Sequence, residues 1–192
     1  MTNDIRVRRV STEEADACAP ALAEVLIDCV EGGASVGFML PISRDTALAF
    51  WRGVAQGVAR GERVLLVAEN AQQCIVGTAQ LVTAQPENQP HRADVAKVLV
   101  HRAARGRGVG LRLMQAIDDA ARAAGKSVLV LDTVTGGVAE RLYARAGWQR
   151  VGMVPNYALM PDGTFCATTF YHKQPGQAAR SASEGRMPNM RR

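Results

Sequence analysis

The stretch Arg105-Gly106-Arg107-Gly108-Val109-Gly110-Leu111 decides the reading of this chain. It stands between an apolar run, Val95-Ala96-Lys97-Val98-Leu99-Val100, and an amphipathic segment from Leu111 to Ala124. The order is strand, glycine-rich turn, helix start. Glycines let backbone N–H groups approach a phosphate closely, and a helix N-terminus adds a favourable dipole. Arginines beside those amides suit a diphosphate better than a neutral ligand.

Two phosphate-binding patterns compete for the turn. A P-loop needs Gly-x-x-x-x-Gly-Lys-Ser/Thr, and here Lys126-Ser127 comes only after the helix. A dinucleotide fold needs Gly-x-Gly-x-x-Gly in the first strand-turn-helix unit, with an acid ending the second strand. Asp132 falls where such an acid is sought, but the spacing is Gly-x-Gly-x-Gly and the unit lies mid-chain.

The turn instead resembles the pyrophosphate-binding motif of the GCN5-related N-acetyltransferases (GNAT). That family's Gln/Arg-x-x-Gly-x-Gly/Ala matches Arg105-Gly106-Arg107-Gly108-Val109-Gly110 at every position. Downstream, Ser127-Val128-Leu129-Val130-Leu131-Asp132 reads as the next strand. Ala139-Glu140-Arg141-Leu142-Tyr143-Ala144-Arg145-Ala146-Gly147-Trp148 then resembles the family's Ala-x-x-Leu-Tyr-x-Lys-x-Gly-Phe helix and turn. Together these span most of residues 93–153. Further likenesses, at Gly32–Met39, Arg92–Asp94, Leu131–Thr133, Val138–Glu140, Arg150–Gly152, Pro155–Tyr157 and Pro161–Gly163, point to the tabtoxin-resistance branch and extend from about residue 5 to 173.

The resemblance implies a fold class, a cosubstrate and roles. The fold expected is α/β: a single-domain, GNAT-like mixed sheet, mostly antiparallel, flanked by helices over residues 1–173, with 174–192 as a disordered basic tail. Acetyl-CoA is the implied cosubstrate. Val98, Leu99, Val100, Arg105, Gly106, Arg107, Gly108, Val109, Gly110 and Leu111 are the implied coenzyme contacts, with the amides near Leu99 and Val100 as oxyanion donors. Asp94 and Asp132 match acids proposed in that branch to deprotonate the amine through water, although Asp94 is one methylene shorter than the family's Glu. Tyr143 is placed beside the coenzyme sulfur, and a phenol with a pKa near 10 can donate to a leaving thiolate at neutral pH. Gly136 stands where many members carry Asn, which removes one side-chain contact. The implied acceptor is a small amino-acid-like amine such as tabtoxinine-β-lactam. Acetylation of a protein or peptide N-terminus, and a non-catalytic acetyl-CoA-sensing partner, are the competing readings.

Composition bounds the rest. The 192-residue chain carries 47% hydrophobic and 5% aromatic residues, enough for one domain with a substantial core. No apolar run approaches the roughly 20 residues that span a bilayer, and the first residues lack a signal-peptide core. These features lead to an expected cytoplasmic location with no membrane partner. Four cysteines, at 18, 29, 74 and 166, form no Cys-x-x-Cys pair, so reduced and mostly buried thiols are expected, with no metal. The net charge of +5 divides between Arg102, Arg105, Arg107 and Arg112 near the turn and Arg180, Arg186, Arg191 and Arg192 in the tail. The tail lacks an array of stacking aromatics, so no nucleic-acid partner is expected. A homo-oligomer is left open.

Periodicity orders the elements. Ile5–Val10 alternates as a strand, and Ser11 with Glu14 forms a capping box for a helix expected to reach about Val30. Residues 31–41 form an apolar loop in which Gly33, Ser35, Phe38 and Met39 are candidate acceptor contacts. A helix over Arg44–Arg60, paired strands over Arg63–Glu69 and Cys74–Thr83, a loop over Gly152–Gly163 and a last strand over Phe165–His172 complete the order. If the strands that carry Asp94 and Asp132 are parallel neighbours, the two acids are expected near opposite ends. Asp118 and Asp119 read as a solvated helix face, Trp51 and Trp148 as core or pocket wall, and His91, His101 and His172 as ordinary loop or strand-end residues.

Overall fold

A computed structural model describes residues 5–176. Most of the tail expected from residue 174 therefore lies outside the described residues. Seven strands form one sheet in the order β1-β2-β3-β4-β5-β7-β6. They are β1 (Arg6–Arg9), β2 (Arg63–Glu69), β3 (Ile75–Val82), β4 (Arg92–Val100), β5 (Val128–Val134), β6 (Gln149–Leu159) and β7 (Phe165–Lys173). Every neighbouring pair is antiparallel except β4 with β5. The helices are α1 (Ala19–Glu31), α2 (Arg44–Ala59), α3 (Val109–Ala123) and α4 (Val138–Arg145).

Strand alternation sends the two faces of the sheet into two cores. Val64, Leu66, Leu81, Val95 and Leu129 pack against Leu113, Met114 and Ile117 of α3, with Tyr143 and Trp148 at the α4 end. Leu65, Val67 and Leu99 turn the other way, onto Leu22, Leu26, Trp51 and Val54 of α1 and α2. Removing each such large apolar side chain from water contributes roughly 1.5–3 kcal/mol.

Three expectations change. The first helix begins at Ala19 rather than near Ser11. The capping box does form, with the Ser11 amide donating to Glu14 Oε2 (3.2 Å) and the Glu14 amide to Ser11 Oγ (3.3 Å). It closes a run of turns, because Pro20 in the first helical turn has no N–H to continue the ladder back to Asp16. Residues 152–163 are not mainly a loop: β6 continues to Leu159. Pro155 and Asn156 (φ 51°) fall inside a register break between Val154 and Ala158. An outermost strand tolerates such a bulge because one of its edges needs no partner. Finally, Asp132 does not end β5, which runs on to Val134.

The cysteines are free, as expected, with Cys18 and Cys29 buried, whereas Cys74 is exposed. No helix among the described residues is long and apolar enough to cross a membrane. No cluster among them has the donors to hold a metal ion.

Candidate functional site

The site begins where β4 and β5 part. Their parallel pairing covers only Arg92↔Val128, Ala93↔Leu129 and Asp94↔Val130. Beyond it β4 stays on β3 and β5 stays on β7, so the facing edges of 95–100 and 131–134 no longer bond each other. Val98, Leu99 and Val100 lie on that freed edge of β4.

The glycine turn sits at the open end of the gap. Gly106 and Gly108 both take φ 76°, a left-handed conformation that favours glycine, and a Cβ on either would meet nothing within 4 Å. Gly108 is also the N-cap of α3 and gives it no side-chain cap. The first N–H groups of α3 therefore lack a capping acceptor, which an anion can supply. Gly110 has a different role: its added Cβ would come within 2.9 Å of Leu142 Cδ2, so it lets α3 lie close to α4. Val109 points into the core, while Leu111 stays partly exposed.

Proximity in sequence misleads for two arginines near the turn. Arg102 is bound to Asp28 through its backbone amide (2.7 Å) and its guanidinium (2.8 Å). Arg112 donates to the Ile5 carbonyl (2.5 Å). Arg105 donates through Nε to the Val100 carbonyl (3.2 Å) and lies beside the Cys29 thiol, and Arg107 is exposed. Asp28 loses solvation, which opposes its charge, yet the Arg102 amide and guanidinium and nearby His101 hold its carboxyl below the usual range.

Tyr143 comes from α4 and is 6% exposed. Its ring packs edge-on to Trp148 (6.1 Å between centroids) and beside Tyr171 (5.9 Å). Burial raises its phenol pKa well above the ordinary value, and the charge of Asp132 adds to that rise. Its hydroxyl makes no hydrogen bond among the described residues. The turn before α4 is braced by Glu140, which accepts from the Gly136 amide (2.9 Å) and from the Tyr171 hydroxyl (3.1 Å).

The two acids are closer than expected. Asp94 is level with Val130, so Asp132 lies two residues further along the neighbouring strand and on the same face, roughly 6–7 Å of strand rise away. Opposite ends were expected because Asp94 was read as starting its strand and Asp132 as ending the next; β4 instead starts at Arg92, level with Val128, and β5 runs on to Val134, so each acid stands two residues inside its strand end. The acids differ in their freedom. Asp94 is paired with Arg92 and accepts from Gln85 Nε2 (3.0 Å). Asp132 has no side-chain partner among the described residues. Loss of solvation raises its carboxyl pKa, with Lys97 acting against the rise and Asp94 adding to it.

Residues 32–43 cross the same face as a tied wall rather than a free flap. The Ser35 hydroxyl donates to the Leu159 carbonyl (2.6 Å), and the Leu40 amide donates to the Pro161 carbonyl (2.9 Å). Phe38 packs edge-on to Phe50 (5.2 Å) and joins the α1–α2 core, Gly33 (φ 83°) is exposed, and Met39 is 46% exposed. The sequence reading missed two features of this face. Tyr157 lies edge-on to Phe170 (5.4 Å), which pairs with Asp132 across β5 and β7. Lys97 sits at a bulge in β4 with φ 51° and reaches over the Phe50 ring. A lone lysine in the otherwise apolar run Val95–Val100 was the available signal. Asp118 also departs from its reading as a solvated residue, because Lys173 binds it at 2.5 Å.

Known proteins share both the sequence pattern and this geometry. The chain is 33% identical over 131 residues to an N-acetyltransferase from the hisH-hisA intergenic region of Azospirillum brasilense, covering 67% of this chain and 75% of that one. Its structure is similar to that of yncA from Salmonella typhimurium, solved with its cofactor acetyl-CoA, at a TM-score of 0.72 and 22% identity, covering 94% and 99% of the two chains. It is also similar to a ribosomal-protein-alanine N-acetyltransferase from Brucella melitensis, at 0.71 and 25% identity, covering 88% and 99%. The profile described as "Acetyltransferase (GNAT) family" matches residues 33–148. That match takes in the tied loop, both parted strands, the glycine turn and the helix carrying Tyr143, and with it the chain belongs to the acetyltransferase (GNAT) family, whose cosubstrate is acetyl-CoA.

Proposed function

We propose that this acetyltransferase modifies the amine of a small amino-acid-like molecule, within the tabtoxin-resistance branch that its sequence resembles. The tied wall carries this reading. The bonds of Ser35 and Leu40 to the β6–β7 hairpin close one side of the acceptor face, which suits a compact acceptor better than an extended chain. Gly33, Ser35, Phe38 and Met39 would contribute to that wall, with Ser35 acting mainly as its fastener.

Acetyl-CoA supplies the acetyl thioester. The amides of the Arg105–Leu111 turn and the uncapped α3 start would hold its diphosphate, aided by Arg105 and Arg107. The freed β4 edge at Val98–Val100 would aim N–H groups at the carbonyl oxygen, where negative charge develops. Asp132 is the better base of the two acids, since it is free and its carboxyl is raised, while Arg92 and Gln85 occupy Asp94. Asp94 would orient the water between Asp132 and the amine. Tyr143 keeps its proton at neutral pH and would donate a hydrogen bond to the departing sulfur. Its raised pKa disfavours complete proton transfer to a thiolate of ordinary basicity.

Asp132 predicts a pH profile. Activity that needs its carboxylate falls as pH drops through its folded pKa. Because that pKa is raised, the acidic limb of kcat/KM should lie above the ordinary carboxylate range. Asp132→Asn should lower kcat/KM about 100-fold or more and abolish that limb. A variant that keeps both rate and limb would remove Asp132 as the base.

The substrate assignment is tested by acetyl-CoA-dependent thiol release across tabtoxinine-β-lactam, amino acids, polyamines and short alanine-starting peptides. Selective turnover of the β-lactam supports the resistance reading, and turnover of another small amine replaces only the named acceptor. Turnover confined to the peptides favours protein N-terminal acetylation, the activity named for the Brucella relative. Tight acetyl-CoA binding with no turnover favours a sensing role.

A further inference from the structure

Lys97 stands out against its strand. Its neighbours in β4 are apolar, and the register slips from Thr78↔Leu99 to Gln80↔Ala96, so Lys97 and Val98 together oppose Ala79 in a one-residue bulge. The left-handed φ of 51° is strained for a residue with a Cβ, and it re-aims the side chain. Nζ lies 5.4 Å from the centre of the Phe50 ring, and 3.9 Å from where a Cβ on Gly37 would stand. It therefore reaches across the acceptor face between α2 and the tied loop. Among the described residues it has no hydrogen bond and no ion pair.

Across the gap, Asp132 is equally free of a side-chain partner. Each charge is felt by the other, yet no bridge of 4 Å or less joins them. Two opposite, unpartnered charges held apart on one face are complementary to a zwitterion. Asp132 would meet the ammonium end, the one that must lose a proton. Lys97 would meet an anionic end.

We infer that Lys97 is a specificity-determining residue that holds the carboxylate of an α-amino-acid acceptor while its amine lies at Asp132. This inference rests on the small-acceptor reading above and adds to it a required negative group and the residue that reads it. The neighbouring charges fit an anion: Arg63 stands close enough to disfavour a second cation beside it, and burial already disfavours the bare ammonium. A bound carboxylate relieves both. The Phe50 ring alone, at this distance, is a weak partner for an ammonium, worth roughly 0.5–1 kcal/mol when exposed.

The test compares an α-amino acid that the enzyme turns over with its α-carboxamide, in wild type, Lys97→Met and Lys97→Arg. The two acceptors differ in amine basicity, but that difference cancels between proteins. Wild type should favour the carboxylate, and Lys97→Met should lower the acid-to-amide ratio of kcat/KM about 10- to 100-fold, mainly through KM, with Lys97→Arg restoring part of it. Acetyl-CoA affinity and the thermal midpoint report on folding, and Lys97→Gln serves the same purpose if the methionine variant fails to fold. An unchanged ratio in a folded variant overturns the inference while leaving small-amine acetylation standing. Absence of turnover with every small amine removes the small-acceptor reading, and the inference with it.

Discussion

Acetyl-CoA affinity should fall about 100-fold, near 2.7 kcal/mol, in Gly108→Val. Two effects act together at this position. The left-handed φ of 76° is costly for a β-branched residue, so the turn must shift to accommodate valine. Added bulk also enters open space in front of the uncapped α3 start, where the diphosphate is proposed to lie. Gly108→Asn separates the effects, because asparagine tolerates left-handed backbone better than valine does. A smaller loss in the asparagine variant assigns the effect to backbone strain, and equal losses assign it to the filled space. Calorimetry on folded protein measures both. Undiminished binding by a folded Gly108→Val protein would refute the phosphate-turn assignment.

Tyr143→Phe should reduce kcat by about 10- to 100-fold and leave acetyl-CoA affinity within about twofold. The substitution is cleaner than most at a buried position. Phenylalanine keeps the ring contacts to Trp148 and Tyr171, and the lost hydroxyl has no partner among the described residues to strand. A rate loss therefore reports on the departing sulfur rather than on packing. Single-turnover thiol release at saturating acetyl-CoA isolates the step. An unchanged rate would leave Tyr143 as a core ring joining α4 to the sheet.

Much of this architecture could be read from local chemistry. Arg63–Glu69 is a strand as expected, because a β-branched and aliphatic run there is bounded by Gly61 and Asn70. The glycine turn was readable because only a few residue types serve its backbone. What escaped depends on partners far away in the chain. The Gly152–Gly163 segment contains breakers that disqualify a central strand but not an outermost one, and the sequence does not mark which strand lies outermost. Ser35 reaches a carbonyl 124 positions away, a relation that no local pattern encodes. The same limit explains Arg102 and Arg112, whose closeness to the turn along the chain is overridden by Asp28 and the Ile5 carbonyl. Lys97 showed only as a lone charge in an apolar run, since nothing local marks the bulge that re-aims it.

The position of β7 sets a condition on biosynthesis. β7 (Phe165–Lys173) is the last strand in chain order among the described residues, yet it lies between β5 and β6. Until β7 has been made, β6 has no strand to join and Asp132 has no neighbour on its outer side. The tie from Ser35 to Leu159 also waits for that insertion, because Leu159 is paired only through Phe165. A nascent chain halted before residue 165 would carry the glycine turn and Tyr143 but no assembled acceptor wall. The proposed acceptor wall therefore depends on β7 for its assembly, and a premature stop in that strand would leave it unformed.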